Sequence, residues 1–314
     1  MTEPLALRNF GSPDLRVTPL CMGCSGLSSM PEVFGYEVSE EQALATLRAL
    51  FQSPIKYLDT AAGYGDGESE RRIGIVLGEL GGLPEDFVLS TKVDRDSSTG
   101  DFSGEQARRS IERSLQLLGL DHFQILFLHD PETTTFENIT QPGGALEVML
   151  RYKEQGLIER IGVAGGPIDL MIRYIETGVF EAVLTHNRYT LLNRAAEPLL
   201  QLATKRGIAI LNAAPYGGGI LSRGPEHFPR YAYRAADALT LERARKMQAI
   251  CDEYGVPLAA AALQFSMRDA RISSTVVGMT RPERIAQTLA LARHPISEEA
   301  WERLSAVRSE TQDL

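Results

Sequence analysis

The chain has few cysteines and no apolar run long enough to cross a membrane. Its 314 residues include only Cys21, Cys24 and Cys251, too few for the disulfide framework of a secreted protein. The opening segment MTEPLALRNFGSPDLRVTPL has early acidic and turn residues and lacks the charged-then-apolar order of a signal peptide. We therefore expect a cytoplasmic protein without a membrane span.

Basic residues are outnumbered as well. There are 32 Lys and Arg against 41 Asp and Glu, a net charge of −9, and no basic stripe of the kind that a nucleic-acid partner requires. With 43% hydrophobic and 23% charged residues, the composition is that of an ordinary globular protein. No linker, low-complexity tract or charge block divides the chain, so we expect one domain over 1–314.

The first two cysteines form a C-x-x-C motif, Cys21-Met22-Gly23-Cys24. A redox pair should open a helix after a strand, and a zinc site would need two further ligands. Here the motif lies inside an apolar run. We interpret both cysteines as small buried residues of a first strand and predict no metal site.

The hydrophobic pattern predicts the fold. A hairpin is predicted between Leu5 and Leu20, with its turn at Gly11-Ser12-Pro13-Asp14. Strand-like runs then alternate with helical periodicity, and Ser39 and Ser103 are placed as helix N-caps. The eight runs are PLCMGCSG, IKYLDTA, FVLSTKV, FQILFLHD, ERIGVAGG, EAVLTHN, IAILNAAP and STVVGMT.

Two helical segments separate the seventh and eighth runs, and a further pair follows the eighth. This order predicts an α/β fold: a (β/α)8 TIM barrel with an N-terminal β-hairpin and extra C-terminal helices. A doubly wound open sheet is the alternative, but no G-x-G-x-x-G follows the first strand.

Four chemically active side chains fall at the ends of successive predicted strands. Asp59 and Lys92 are 33 positions apart, and Lys92 and His129 are 37 apart, each about one strand-helix-strand repeat; Tyr64 follows Asp59 closely. A phenol has a pKa of about 10, so Tyr64 needs a nearby cation to act as a base at neutral pH. Lys92 can supply that cation, Asp59 can keep Lys92 charged, and His129 can bond the substrate oxygen or relay a proton.

These residues resemble the aldo-keto reductase family over nearly the whole chain. The matching pieces are Asp59-Thr60-Ala61 with Tyr64-Gly65, Glu68-Ser69-Glu70, Ser90-Thr91-Lys92-Val93 and Leu128-His129. The resemblance implies a nicotinamide cofactor across the barrel mouth and hydride transfer to or from a carbonyl or alcohol carbon. Tyr64 would then exchange the proton, supported by Asp59, Lys92 and His129, and the hairpin would plug the barrel floor.

The resemblance also implies cofactor positions, some of them altered. Ala164-Gly165 stands where the family has a Ser-Asn pair, and Ala213 stands where it has a nicotinamide-stacking tyrosine. The basic residue that meets a 2′-phosphate falls near Met279 or Thr280, so we expect NAD to be preferred, with NADP possible. The full predicted cofactor set is Asn187, Gly217, Gly219, Gly278, Met279, Thr280, Arg281, Arg284 and Gln287.

VVGMT, NAAPYGGG and CMGCSGL are similar to the branch of the family that oxidises aldoses at C1. L-Fucose, L-galactose and D-arabinose types are the expected substrates, with Tyr64 acting as a phenolate. Phe228, Tyr231 and Tyr233, in a long loop after the seventh strand, are expected either to contact the substrate or to pack that loop on the barrel. The alternatives are a pyridoxal 4-dehydrogenase, an NADPH-dependent carbonyl reductase and a non-catalytic nucleotide-binding subunit.

Overall fold

The computed structural model describes residues 4–232 and 234–309. A hairpin of β1 (Arg8–Phe10) and β2 (Ser12–Val17) precedes the barrel. Eight parallel strands close the barrel in chain order, and the last pairs with both the seventh and the first. They are β3 (Leu20–Gly23), β4 (Tyr57–Asp59), β5 (Val88–Val93), β6 (Phe123–His129), β7 (Ile158–Gly165), β8 (Ala182–His186), β9 (Ala209–Ala213) and, after a short hairpin of β10 (Arg230–Tyr231) and β11 (Arg234–Ala235), β12 (Ser274–Gly278).

The helices pack around this barrel. Ser39 and Ser103 cap α2 and α4, each accepting a hydrogen bond from the backbone N–H three residues on, as predicted. The helices are α1 (Pro31–Phe34), α2 (Glu40–Phe51), α3 (Glu68–Leu80), α4 (Gly104–Leu118), α5 (Phe136–Thr140), α6 (Ala145–Glu154), α7 (Ile168–Glu176), α8 (Glu197–Lys205), α9 (Ile220–Arg223), α10 (Ala238–Glu253), α11 (Leu258–Arg268), α12 (Pro282–Arg293) and α13 (Glu298–Ser309). The predicted (β/α)8 barrel with extra C-terminal helices is confirmed.

The hairpin is present, but its turn is tighter than predicted. Ser12 already belongs to β2 and pairs with Phe10, so Gly11 alone reverses the chain. Gly11 has φ 72°, a conformation that glycine adopts without strain. Phe10 and Val17 are buried in one cluster with residues of the barrel strands, and the Phe10 and Tyr57 rings meet edge to face at 6.4 Å. The hairpin therefore closes one end of the barrel, as the resemblance implied.

Cys21 and Cys24 lie at and just beyond β3. Both thiols are fully buried and free, and burial raises the pKa of each. They pack in the core, in agreement with the interpretation of the C-x-x-C motif. Within the described residues, no helix is long and apolar enough to cross a membrane.

Candidate active site

The four predicted residues converge at the carboxyl end of the barrel. Asp59 and His129 are the last residues of β4 and β6, and Lys92 is the penultimate residue of β5. Tyr64 lies in the loop between β4 and α3, where Gly65 presses against Ser28: a Cβ on Gly65 would lie 2.6 Å from the Ser28 Cβ. Because parallel strands end at one rim, side chains far apart in sequence share a single site.

Lys92 is the centre of this group. Its ammonium donates to Asp59 Oδ2 at 2.6 Å, to the Thr60 carbonyl oxygen at 2.6 Å and to the Tyr64 hydroxyl at 3.2 Å. Lys92 is only 1% exposed, and Asp59 also accepts from Ser90 Oγ at 2.7 Å. All three ammonium hydrogens therefore have partners, as a buried charge requires.

The pKa values of Lys92 and Tyr64 are both raised above their ordinary values. Burial alone would lower the pKa of Lys92, but the charges of Asp59 and Tyr64 raise it above its ordinary value, so the ammonium is retained. Burial raises the pKa of Tyr64, and the neighbouring Lys92 only partly offsets this effect. The expectation that Lys92 makes Tyr64 a phenolate is wrong for the protein by itself, because desolvation of the phenolate outweighs the ammonium's attraction.

His129 is held by the carboxylate of Asp94, which belongs to none of the sequence motifs described above. His129 Nδ1 bonds Asp94 Oδ1 at 2.6 Å, and Asp94 Oδ2 accepts from the Gly63 N–H at 2.6 Å. Burial would lower the pKa of His129, but Asp94 raises it above its ordinary value, so the imidazolium is favoured. The rings of His129 and Tyr64 meet edge to face at 5.6 Å. The only sequence signal for Asp94 was its place directly after β5.

These side chains lie in a cavity of about 980 Å³ at the barrel mouth. That volume is at the upper end of the range for small-molecule sites. Several predicted cofactor and substrate residues contribute to its lining: Gly219, Phe228, Gly278, Thr280, Arg281 and Arg284. Ala213 also lines the cavity, and so does Tyr216, an aromatic residue of the same segment.

Other predicted residues lie outside this lining. Tyr231 donates to the Asn187 carbonyl oxygen at 2.8 Å and bonds Thr190, so it packs the loop on the barrel. Gln287 accepts from Arg284 at 3.0 Å, and Met279 is buried. Gly217 packs beneath the Tyr231 ring. The prediction for Tyr233 falls outside the described residues.

The cavity wall suits an extended dinucleotide. Arg281 and Arg284 stand at the start of α12, where helix N–H groups and guanidinium groups together attract phosphate. A Cβ on Gly278 would meet nothing within 4 Å, so the backbone here is open to a ligand. Asn187 is 1% exposed and lies outside the cavity lining: its Nδ2 is 3.3 Å from His186 Nδ1, and its Oδ1 is buried without a hydrogen-bond partner in the described structure.

A second polar group borders the same cavity. Asp130, Glu132 and His186 have side-chain N and O atoms within 4.8 Å of one another. Asp130 and His186 line the cavity, whereas Glu132 bonds the backbone N–H of Gly166 at 3.0 Å. Asp130 and Glu132 follow β6 and His186 ends β8, and no sequence motif links the ends of these two non-adjacent strands.

Known proteins share this architecture. The protein-family model for the aldo/keto reductase family matches residues 19–309. Pyridoxal 4-dehydrogenase of Microbacterium luteolum is 31% identical, with 96% of each chain covered, and D-threo-aldose 1-dehydrogenase of a Pseudomonas species is 30% identical, with 98% of each covered. The solved holo form of an aldo-keto reductase from Bacillus halodurans superposes with a TM-score of 0.78 at 21% identity, covering 96% of each chain.

The barrel and the rim of polar side chains define an oxidoreductase of the TIM-barrel class. The chain belongs to the aldo-keto reductase family, whose members use nicotinamide cofactors. The resemblance drawn from the sequence motifs is therefore confirmed at the level of the family.

Proposed function

We propose that this protein oxidises an aldose at C1 to the lactone, with Tyr64 exchanging the proton. The observation that carries the proposal is the Lys92 ammonium, which bonds Asp59 and Tyr64 inside a cavity large enough for sugar and cofactor. Its kinship with a D-threo-aldose 1-dehydrogenase supports the substrate class.

The reaction removes a hydride from C1 and a proton from the C1 hydroxyl. When bound in the cavity, an oxidised nicotinamide would supply the hydride acceptor and a positive charge. Tyr64 receives the hydroxyl proton, and its raised pKa means that it must first lose its own proton. Lys92 stabilises the phenolate, and His129, whose ring meets the Tyr64 ring edge to face, orients the sugar oxygen.

Because Tyr64 starts as a phenol, alkaline conditions favour oxidation and neutral conditions favour the reverse reduction. The pKa argument gives the sign: raising the pH increases the fraction of phenolate that can accept the substrate proton. We therefore expect the rate of aldose oxidation to rise as the pH is raised above neutrality.

We further propose NAD as the preferred cofactor, with NADP accepted more weakly. Met279 is buried and Thr280 is uncharged, so this segment offers no direct cation to a 2′-phosphate. Arg281 and Arg284 line the cavity nearby and are the residues through which NADP would still bind. Asn187, Gly219 and Gly278 are proposed to contact other parts of the cofactor.

A second substrate is pyridoxal. A pyridoxal 4-dehydrogenase is 31% identical over nearly the full length, and Phe34, Tyr36 and Phe228 give the cavity aromatic side chains on which a pyridine ring can stack.

The deciding experiment measures initial rates at about pH 8.5 for L-fucose, L-galactose, D-arabinose and pyridoxal, each with NAD and with NADP. NADH formation with the sugars supports aldose oxidation, and rates with pyridoxal alone support the second substrate. Turnover only of simple aldehydes with NADPH would indicate a carbonyl reductase. Nucleotide binding without turnover of any of these would indicate a non-catalytic subunit.

The Tyr64→Phe variant tests the role of the hydroxyl group in the mechanism. It removes one hydroxyl and keeps the ring, so we expect kcat to fall by roughly 10²-fold or more while the Kd for the cofactor is unchanged. Undiminished turnover would exclude Tyr64 as the proton-exchanging group.

A further inference from the structure

The Asp130 cluster (Asp130, Glu132 and His186) is not used by the chemistry described above, yet it opens on the same cavity. Asp130 directly follows His129, with its Oδ1 3.9 Å from His129 Nε2. Its side chain is 46% exposed, and it lines the cavity together with His186. The cluster is therefore within reach of a substrate that is held at Tyr64 and His129.

The backbone holds Asp130 in an uncommon conformation. Its φ of 41° is in the left-handed region, which few residues other than glycine adopt. The turn is held by the Asp130 N–H bond to the Ala164 carbonyl oxygen at 2.8 Å and by the Thr133 N–H bond to the Asp130 carbonyl oxygen at 3.0 Å. These two backbone hydrogen bonds, together with the short 3₁₀ turn Pro131–Thr133, hold the Asp130 backbone in place. They therefore fix the position of the Asp130 Cα, from which the side chain extends.

Glu132 occupies space that two glycines leave open. A Cβ on Gly165 would lie 2.8 Å from Glu132 Oε2, and one on Gly166 would lie 3.3 Å from Glu132 Oε1. Glu132 Oε2 is buried and has no hydrogen-bond partner in the described structure. A side chain at position 165 would displace Glu132, so the glycine pair and the cluster belong together.

The Asp130 cluster contains several hydrogen-bond acceptors and one imidazole ring. Asp130 and Glu132 supply carboxylate oxygens, and burial lowers the pKa of His186, which favours the neutral imidazole. The His186 Nδ1 accepts from Asn187 Nδ2 at 3.3 Å, which leaves the Nε2–H to donate to a substrate oxygen. Hydroxyl groups both donate and accept, and carboxylates bind pairs of neighbouring hydroxyls well. Met30, Val33 and Phe34, elsewhere in the lining, give the same cavity an apolar part.

We propose that Asp130 and His186, with Glu132 behind them, bind the hydroxyl groups next to the reacting carbon of the substrate. This subsite deepens the proposed function and rests on it for the identity of the sugar. It makes the cavity selective for polyhydroxylated substrates over plain aldehydes, since only the former satisfy these acceptors.

The test compares two aldehydes of equal carbon number, glyceraldehyde and propanal, which differ by two hydroxyl groups. Reduction of both is measured with the reduced cofactor, for the wild type and for Asp130→Asn. We expect Asp130→Asn to raise the KM for glyceraldehyde about tenfold and to leave the KM for propanal within about twofold. Any effect of Asp130 on His129 would change kcat for both substrates alike, so the ratio of the KM values isolates the subsite.

Asp121→Asn is the matched control, because Asp121 is exposed just before β6, at the opposite end of the strand that leads to Asp130. His186→Gln should also raise the KM for glyceraldehyde more than the KM for propanal. Equal effects on both aldehydes, or no effect on either, would overturn the proposal. Since the comparison uses reduction, it stands even if the wild type oxidises none of the aldoses, an outcome that would reject only the proposed sugar oxidation.

Calorimetry gives a second readout that needs no turnover. Titration of L-galactose into the NAD-saturated Tyr64→Phe protein, in which turnover is suppressed, should show a Kd that rises about tenfold when Asp130→Asn is added. Absence of sugar binding to Tyr64→Phe, or an unchanged Kd, would overturn the subsite. Loss of the preference for glyceraldehyde on treatment with EDTA, and its recovery with Mn²⁺, would also overturn direct hydroxyl binding and assign the cluster to a cation.

Discussion

At the residue scale, burial decides which groups carry charge in this site. Lys92 remains an ammonium because the Asp59 carboxylate lies 2.6 Å away, whereas Tyr64 has only that same ammonium to stabilise a phenolate. The sequence placed both residues together but could not weigh desolvation against attraction, because the depth of a side chain follows from the folded loop. Tyr64 therefore keeps its proton until a further positive charge beside it stabilises the phenolate.

Asp94 gives the first residue-scale prediction. Replacing it by Asn keeps an oxygen acceptor for the Gly63 N–H and removes the negative charge beside His129. Without that charge, burial dominates, so the pKa of His129 should fall from above to below its ordinary value of 6.5. NMR titration of the His129 ring measures this directly, with the exposed His122 as the internal control. A His129 pKa that is equal in both proteins would contradict the proposed ion pair.

At the element scale, the strands and helices that short stretches of sequence specify were predicted. The loop elements whose shape depends on contacts with the barrel were not. Strand runs, helical periodicity and the caps at Ser39 and Ser103 are written in short stretches of sequence, and the structure confirms them. The short helix α1 and the β10–β11 hairpin belong to loops whose shape depends on the barrel beneath them. For the same reason the contacts of Asp94 and of the Asp130 cluster could not be found from spacing alone.

Two glycines on α3 provide a matched test of helix packing. A Cβ on Gly74 would lie 1.9 Å from the Leu117 carbonyl oxygen of α4, whereas a Cβ on Gly78 would meet nothing within 4 Å. Gly74→Ala should lower the free energy of unfolding by about 2 kcal/mol because the two helices must separate. Gly78→Ala should raise it by about 0.5 to 1 kcal/mol because alanine favours the helix.

Urea denaturation of the wild type and both variants measures these differences. Because both variants replace glycine by alanine within α3, each serves as the control for the other. Similar effects at both positions would mean that α3 and α4 are not in the close contact described here. The site reports on the same contact, since α3 follows the Tyr64 loop directly. Gly74→Ala should therefore also reduce kcat, whereas Gly78→Ala should not.

At the scale of the whole molecule, an acid is buried between the barrel and its helices, outside the cavity lining and without a salt-bridge partner among the described residues. Glu70 of α3 is fully buried and accepts from Thr91 Oγ1 at 2.5 Å and from Ser114 Oγ at 3.0 Å. It joins a strand and two helices through its hydrogen bonds. Burial is the largest influence on this carboxyl and raises its pKa to about 7.

This shift links the stability of the entire fold to pH. The ordinary pKa of Glu is 4.5, so between about pH 4.5 and 7 the folded chain keeps a proton that the unfolded chain has lost. Stability from this group is present in full below that window and is lost as the pH rises through it. A shift of this size corresponds to about 3 kcal/mol.

Glu70→Gln isolates the effect, because it keeps the shape of the protonated acid and cannot ionise. The free energy of unfolding of the wild type relative to Glu70→Gln should fall by about 3 kcal/mol from pH 4.5 to pH 8, as measured by urea denaturation at a series of pH values. Glu41→Gln, the same change at an exposed position of α2, controls for the substitution itself. Parallel stability curves for the wild type and Glu70→Gln would mean that Glu70 is ionised in the folded barrel at neutral pH, and that Thr91 and Ser114 alone compensate its buried charge.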